Sequence, residues 1–177
     1  MERAMSQSPP GRRAGKVLMM LAWIAGLFLA TRFFGEWEDR QHNPNSEMLS
    51  EQGDGYVEVR LAGNRQGHFV GTAQLNGRPV AFMIDTGATD VAIPAEVADE
   101  LGLERGVPVT VNTANGRVQG FRTRVERLQL GQIVLHDVRA LVTPSLEGRE
   151  ILLGMSAMKQ LEFTQRSGTL LLRQTTQ

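Results

Sequence analysis

The stretch Val80-Ala81-Phe82-Met83-Ile84-Asp85-Thr86-Gly87-Ala88-Thr89 carries a carboxylate from the end of an apolar strand directly into a glycine turn. Gly87 lets the backbone adopt φ > 0 or pass close to another chain, and Thr86 supplies a hydroxyl that can hold the turn. A second apolar run, Val91-Ala92-Ile93, follows. This bracketing favours a reactive Asp85; the alternative is an ordinary strand-to-loop turn, in which Asp, Thr and Gly are common.

The composition limits the classes of function. The chain has 177 residues, room for one domain with or without an anchor, and equal numbers of basic and acidic residues, 19 of each. Zero net charge argues against a nucleic-acid partner. The absence of cysteine excludes disulfides and thiolate metal sites. Because His42, His68 and His136 share no metal-ligand spacing, we expect no metal site.

The N-terminal segment predicts a membrane anchor. Residues 1–16 are basic and predict a cytoplasmic tail. Residues 17–34 form an apolar run that is interrupted by Arg32. As a helix, 17–34 would be roughly 27 Å long, about the thickness of a hydrocarbon core, with Arg32 reaching the interface. Basic residues precede the run and acidic residues follow it, so the positive-inside rule places the N-terminus in the cytoplasm.

A cleaved signal peptide is the alternative to an anchor, since its basic start and apolar core look similar. Phe28-Leu-Ala-Thr-Arg-Phe-Phe-Gly35 offers no convincing pair of small residues for cleavage. We therefore predict an uncleaved, single-pass anchor in the inner (cytoplasmic) membrane. With either alternative, the following domain is periplasmic or otherwise extracytoplasmic.

Beyond the anchor, residues 35–55 are polar and predict a flexible linker, and residues 56–175 predict one folded domain. Within this domain the apolar residues alternate with a period of two, and turn signals recur, which favours an all-β sandwich or barrel. The dipeptides Asn76-Gly77 and Asn115-Gly116 predict hairpin turns. Two short helices are predicted, Pro94–Leu101 and Ser156–Leu161.

Three motifs in order resemble the retropepsin-like aspartic proteases, and most closely their membrane-anchored bacterial members. They are Asp85-Thr-Gly-Ala88, the Thr113-Ala-Asn-Gly116 hairpin, and Ile151-Leu-Leu-Gly154 followed by a short helix. The resemblance extends from about Gly67 to Leu172. It implies a single-lobe acid-protease β-barrel with one or two short helices.

The resemblance also assigns roles to residues. It implies that Asp85 is the catalytic aspartate and that Thr86, Gly87, Ala88 and Thr89 complete the active-site loop, with the Thr86 hydroxyl locking two such loops across a dimer axis. Thr113, Ala114, Asn115 and Gly116 would form the flap over a bound peptide. Leu152, Leu153 and Gly154 would form a supporting segment beside the catalytic loop.

Two positions depart from the retroviral pattern. Retroviral members usually carry an acid two residues after the motif glycine and an arginine after the later apolar-apolar-glycine; here those positions are Thr89 and Met155. Both ends of that ion pair are therefore neutral. The remaining nearby acid, Asp90, is predicted to be a solvated loop residue. Ser145 and Ser156 show no nucleophile pattern.

The expected function is that of a membrane-anchored aspartic endopeptidase. Because the chain carries one Asp-Thr-Gly and the domain is too small for two lobes, the second Asp85 would come from a second copy, which makes the active form a homodimer acting on a polypeptide. The alternative is a non-catalytic, membrane-tethered β-domain that binds extended peptides, with Asp85 structural.

Overall fold

A computed structural model describes residues 11–113 and 116–176. The chain divides between Arg40 and Gln41 into two compact units. The first contains most of one long helix, α1 (Gly11–His42). Among the described residues, one segment, Ala14–His42, is long and apolar enough to cross a membrane, with a mean hydropathy of 1.9 over its most apolar window. This evidence for a membrane span consists of length and composition alone, and a signal sequence near the N-terminus has the same properties.

The second unit is mostly β, as predicted. Its described strands and helices are β1 (Leu49–Gly53), β2 (Tyr56–Ala62), β3 (Val70–Leu75), β4 (Arg78–Ile84), β5 (Val91–Pro94), α2 (Ala95–Glu100), β6 (Pro108–Thr113), β7 (Gly116–Leu130), β8 (Ile133–Thr143), β9 (Ile151–Leu153), α3 (Met155–Met158), β10 (Glu162–Arg166) and β11 (Thr169–Thr175).

These strands form two sheets. A seven-stranded sheet has the order β3-β4-β9-β5-β8-β7-β6, and additional pairing between β3 and β7 brings its two sides together. A four-stranded antiparallel sheet has the order β1-β2-β11-β10. Fully buried side chains from both sheets form one core, including Leu61, Phe82, Val142, Leu153 and Leu172. Burial of each large side chain stabilises the fold by about 1.5–3 kcal/mol, which gives β4 and β9 a rigid setting.

The predicted turn at Asn76-Gly77 agrees with the structure. Asn76 and Gly77 adopt φ of 48° and 81°, the left-handed region that a tight hairpin between β3 and β4 requires. Helix α2 lies within the predicted 94–101. Helix α3 starts one residue before the predicted segment 156–161 and ends at Met158. Strand β7 continues without a break through residues 122–127, a segment not predicted as strand, because β7 pairs with β8 from Phe121 to Leu130.

The segment 35–55 differs from the predicted flexible linker. It contains the end of α1 and strand β1, which pairs with β2. Asn45 is 4% exposed. Its side-chain amide donates to the carbonyl oxygens of Ala62 and Val70, at 2.9 and 2.6 Å, and its Oδ1 accepts from the Ala62 N–H at 2.7 Å. Hydrogen bonds from one buried side chain thus attach residues 41–55 to the strands of the second unit.

Candidate active site

Asp85 directly follows the last residue of strand β4, which belongs to the seven-stranded sheet. The neighbours of β4 are β3, which is antiparallel, and β9, which is parallel. The Ile84 N–H donates to the Phe69 carbonyl oxygen at 2.9 Å, and the Asp85 N–H donates to the Leu153 carbonyl oxygen at 3.1 Å. The backbone of Asp85 is therefore held by β9, while its side chain lies just beyond the last paired residue of β4.

The Asp85 carboxylate is held by the turn that follows it. The Gly87 N–H donates to Asp85 Oδ1 at 2.9 Å, and the Ala88 N–H donates to the Asp85 carbonyl oxygen at 3.2 Å. This is the side-chain turn that the Asp-Thr-Gly pattern predicts. Asp85 is half-buried, and Thr86 and Gly87 are exposed. One carboxylate oxygen is thus oriented by a backbone N–H on an accessible loop.

The segment after β9 supports the same loop. The Met155 N–H donates to the Ala88 carbonyl oxygen at 2.8 Å, and the Ser156 N–H donates to the Thr89 carbonyl oxygen at 2.9 Å. A Cβ atom on Gly154 would come within 2.6 Å of the Ala88 carbonyl oxygen. Only glycine therefore allows this close approach. The structure brings Leu153 and Gly154 directly against the backbone of the Asp85 loop. Leu152, the residue between Ile151 and Leu153, is half-buried.

The proposed flap lies partly outside the described residues. Strands β6 and β7 pair in antiparallel register up to Thr113 and Gly116, which are register partners. Ala114 and Asn115, the predicted tip of the hairpin between them, lie outside the described residues. Gly116 has φ of 112°, a conformation that favours glycine. The closing of this hairpin over Asp85 remains a prediction.

Asp90 differs from the solvated loop residue that was predicted. It is half-buried, and Arg139 Nη2 of β8 lies 3.3 Å from its Oδ1. The approach is an ion pair without hydrogen-bond geometry, since Oδ1 is buried and accepts no hydrogen bond. The parallel pairing of β5 with β8 places the two residues together, Val91 opposite Ala140. No local sequence signal could have identified Arg139, because its partner lies on a distant strand.

A cleft of about 700 Å³ begins at Asp90 and continues along β7 and β8. Arg122, Arg124 and Arg139 line it together with four acidic residues, Asp90, Glu104, Glu126 and Asp137, and Asp85 does not line it. Its charges nearly balance, so they select no single class of ligand. Over residues 11–113 and 116–176, no group of three His, Cys, Asp or Glu side chains could hold a metal ion.

Comparison with known proteins identifies the class that this fold and loop define. The sequence family described as "gag-polyprotein putative aspartyl protease" matches residues 71–160, just over half of the chain. The chain therefore belongs to this family of retropepsin-like aspartic proteases. Membership in the family supports a protease function.

Solved structures that are similar to this chain include two aspartic proteases. A crystal structure of a retropepsin-like aspartic protease from Rickettsia conorii has a TM-score of 0.56 and 25% identity, and the match covers 73% of this chain and 97% of that one. This likeness confirms the predicted retropepsin-like fold. The EIAV protease complexed with the inhibitor HBY-793 has a TM-score of 0.45 and 20% identity, covering 54% of this chain and 89% of that one.

One curated relative is similar in sequence. The "Uncharacterized protein in cobV 5'region" of Sinorhizobium sp. is 34% identical over 125 residues, which cover 69% of this chain and 54% of the relative. The chain thus spans about half the length of this relative. No activity is assigned by that relationship.

Proposed function

We propose that this protein is a membrane-anchored aspartic endopeptidase whose Asp85 carboxylate pairs with the Asp85 carboxylate of a second copy. The observation that carries the proposal is the Asp85 loop itself. The carboxylate is half-buried and lies at the end of a strand, where the Gly87 N–H donates to it at 2.9 Å. The backbone of Asp85 is hydrogen-bonded to β9, and the chain belongs to an aspartic-protease family. Such a carboxylate is placed for chemistry rather than for capping a turn.

The proposed reaction needs two carboxylates in different protonation states. At about 3 Å two carboxylates share one proton, as aspartic-protease dyads generally do. The ionised member takes a proton from a water held between them, and that water attacks the scissile carbonyl carbon. The protonated member donates to the developing oxyanion. The proposed chemistry uses no metal ion and no cofactor.

The second copy is proposed because each chain supplies one Asp-Thr-Gly. Thr86 is exposed beside Asp85, so its hydroxyl is accessible to the partner's loop. Strand β10 is an edge of the four-stranded sheet, all five of its residues are exposed, and Phe163 is 42% exposed. Unpaired backbone groups on an exposed edge readily pair with another chain. This edge is the proposed contact between the two copies.

The flap and the anchor complete the proposal. The β6–β7 hairpin with Thr113, Ala114, Asn115 and Gly116 is proposed to close over an extended polypeptide substrate. Residues 17–34 are proposed to cross the inner membrane once, with the basic tail of residues 1–16 in the cytoplasm and the protease domain outside it. Confinement of two copies to one membrane raises their effective concentration and favours pairing.

Replacement of Asp85 tests this proposal. The variant Asp85→Asn is nearly isosteric, keeps an oxygen for the Gly87 N–H, and removes the ionisable group. We expect the full-length variant in detergent micelles to fold and pair like the parent but to lose peptide cleavage. The matched control is Asp54→Asn, which neutralises an exposed carboxylate in the β1–β2 turn and should leave cleavage unchanged.

The second candidate function is peptide binding without catalysis. The exposed β10 edge favours it, since an extended peptide can add to such an edge as a further strand. Cleavage of a peptide library by Asp85→Asn at the parent's rate would reject the protease and leave this alternative. Loss of cleavage in Asp85→Asn, with Asp54→Asn active, would reject the alternative.

A further inference from the structure

Ser156 lies in the first turn of α3 and is 3% exposed, next to the buried side chains of Ala157 and Met158. A buried hydroxyl is costly unless it is hydrogen-bonded. Here the hydroxyl acts both as a hydrogen-bond donor and as an acceptor. Its Oγ donates to the Arg139 carbonyl oxygen at 2.7 Å and accepts from the Val91 N–H at 3.1 Å.

The same residue also binds the loop through its backbone. The Ser156 N–H donates to the Thr89 carbonyl oxygen at 2.9 Å. Ser156 therefore contacts the chain on both sides of Asp90, at Thr89 and at Val91. Through Arg139 it joins this part of the loop to β8 as well. Three segments that are distant in sequence meet at one hydroxyl.

These bonds hold the end of the loop that begins at Asp85. The start is held by backbone, since the Asp85 N–H donates to the Leu153 carbonyl oxygen. The end is held at Val91 by the Ser156 side chain. Thr89 and Met155, which lie beside these contacts, carry no charge, so no ion pair between them braces the loop. The bond at Val91 is one that a single substitution can remove.

We propose that Ser156 is a positioning residue, which sets the position of the Asp85 loop so that the two Asp85 carboxylates meet correctly. This inference rests on the proposed protease function. Without the hydroxyl, the Val91 N–H and the Arg139 carbonyl oxygen lose their buried partner. The loop then shifts as a unit, and the carboxylate moves with it. Misplacement of a catalytic group by about 1 Å can cost roughly 100-fold in rate.

The test compares three variants of the full-length protein in micelles. Ser156→Ala removes the hydroxyl, and Ser156→Thr restores one. Thr143→Val is the matched control, because Thr143 is 6% exposed on β8 and, among the described residues, its Oγ1 makes only a long, local contact of 3.5 Å with the Leu141 carbonyl oxygen. Each variant is assayed at a temperature where circular dichroism shows it fully folded, and kcat and KM are measured separately.

We expect Ser156→Ala to lower kcat by roughly 100-fold with KM changed by less than about threefold. Ser156→Thr should recover most of kcat, and Thr143→Val should match the parent. Hydrogen exchange of the peptide covering residues 85–91 should be faster in Ser156→Ala alone. Faster exchange with unchanged kcat would overturn the inference, as would an equal loss of kcat in Thr143→Val.

The outcomes separate this inference from the proposed function. A parent protein that cleaves nothing overturns both. A parent that cleaves, loses cleavage in Asp85→Asn and keeps its kcat in Ser156→Ala overturns only the role of Ser156. If Ser156→Thr is misfolded, Ser156→Cys replaces it as an isosteric variant with weak hydrogen bonding, and its kcat should lie between those of Ser156→Ala and the parent.

Discussion

The backbone N–H of Asp85 donates a hydrogen bond of 3.1 Å to the carbonyl oxygen of Leu153. This bond extends the parallel pairing of β4 with β9 by one residue beyond Ile84, which is the register partner of Leu153. The first residue of the proposed catalytic loop is therefore positioned by a buried strand. Leu153 is fully buried, so this support belongs to the core of the domain.

Mixing parent and Asp85→Asn copies tests the proposal that two copies share one catalytic pair of carboxylates. When full-length parent and Asp85→Asn are mixed in equal amounts and allowed to exchange, random pairing should lower cleavage per parent chain to about one half. The physical reason is that a mixed pair contains one carboxylate and one amide, which cannot share a proton. The measurement is the initial rate against the fraction of variant. Mixing with Asp54→Asn is the control, and an unchanged rate per parent chain would show that each copy acts alone.

Asn45 provides a test of the attachment of residues 41–55. Asn45→Ala leaves the Ala62 N–H and the carbonyl oxygens of Ala62 and Val70 without this partner, and we expect a loss of about 2–3 kcal/mol in the free energy of unfolding. Urea denaturation followed by circular dichroism measures it. Gln52→Ala, exposed on β1, is the control and should stay within about 0.5 kcal/mol of the parent. Equal stabilities for Asn45→Ala and the parent would contradict this role.

The ion pair between Glu100 of α2 and Arg149 predicts a pH dependence of stability. Arg149 Nη1 donates to Glu100 Oε1 at 2.7 Å, and this hydrogen bond holds the pKa of Glu100 below its ordinary value. In the folded protein Glu100 therefore releases its proton at lower pH than in the unfolded chain. Its contribution is complete above the unfolded pKa of about 4.3 and is lost as pH falls through the lowered folded pKa.

We expect Glu100→Gln to have a lower urea midpoint than the parent at neutral pH, and the difference to disappear in acid. The effect should be small, because both side chains are substantially exposed. The measurement is the urea midpoint of parent and variant across the pH range. Asp54→Asn serves as the control and should follow the parent at each pH. A difference that grows as pH falls would refute the assignment.

Much of the local structure could be predicted because its causes are local. An apolar strand followed by Asp-Thr-Gly predicts the turn that orients Asp85, and Asn76-Gly77 predicts its hairpin. Helix α2 follows from a proline before it and Gly102 after it. In each case, backbone preferences of adjacent residues decide the conformation.

The contacts of Asn45, Arg139 and Ser156 could not be predicted, since each joins segments far apart in the chain. Asn45 lies in a polar segment without periodicity, which reads as linker until Ala62 and Val70 are brought beside it. Ser156 shows no catalytic pattern, and its role depends on Val91 and Arg139 converging on one hydroxyl. The ion pair of Asp90 with Arg139 could not be foreseen either, because Arg139 lies on another strand. The sequence therefore predicts a solvated Asp90.

By itself, the sequence determined the class of the protein, the single Asp-Thr-Gly loop per chain and the apolar N-terminal segment, because these depend on residue identity and on short-range backbone preference. Tertiary structure alone decided how the far end of that loop is held, by α3 with β8 around Asp90. The physical reason is that buried hydrogen-bonding groups must be paired, and their partners are settled only when the strands and α3 pack together.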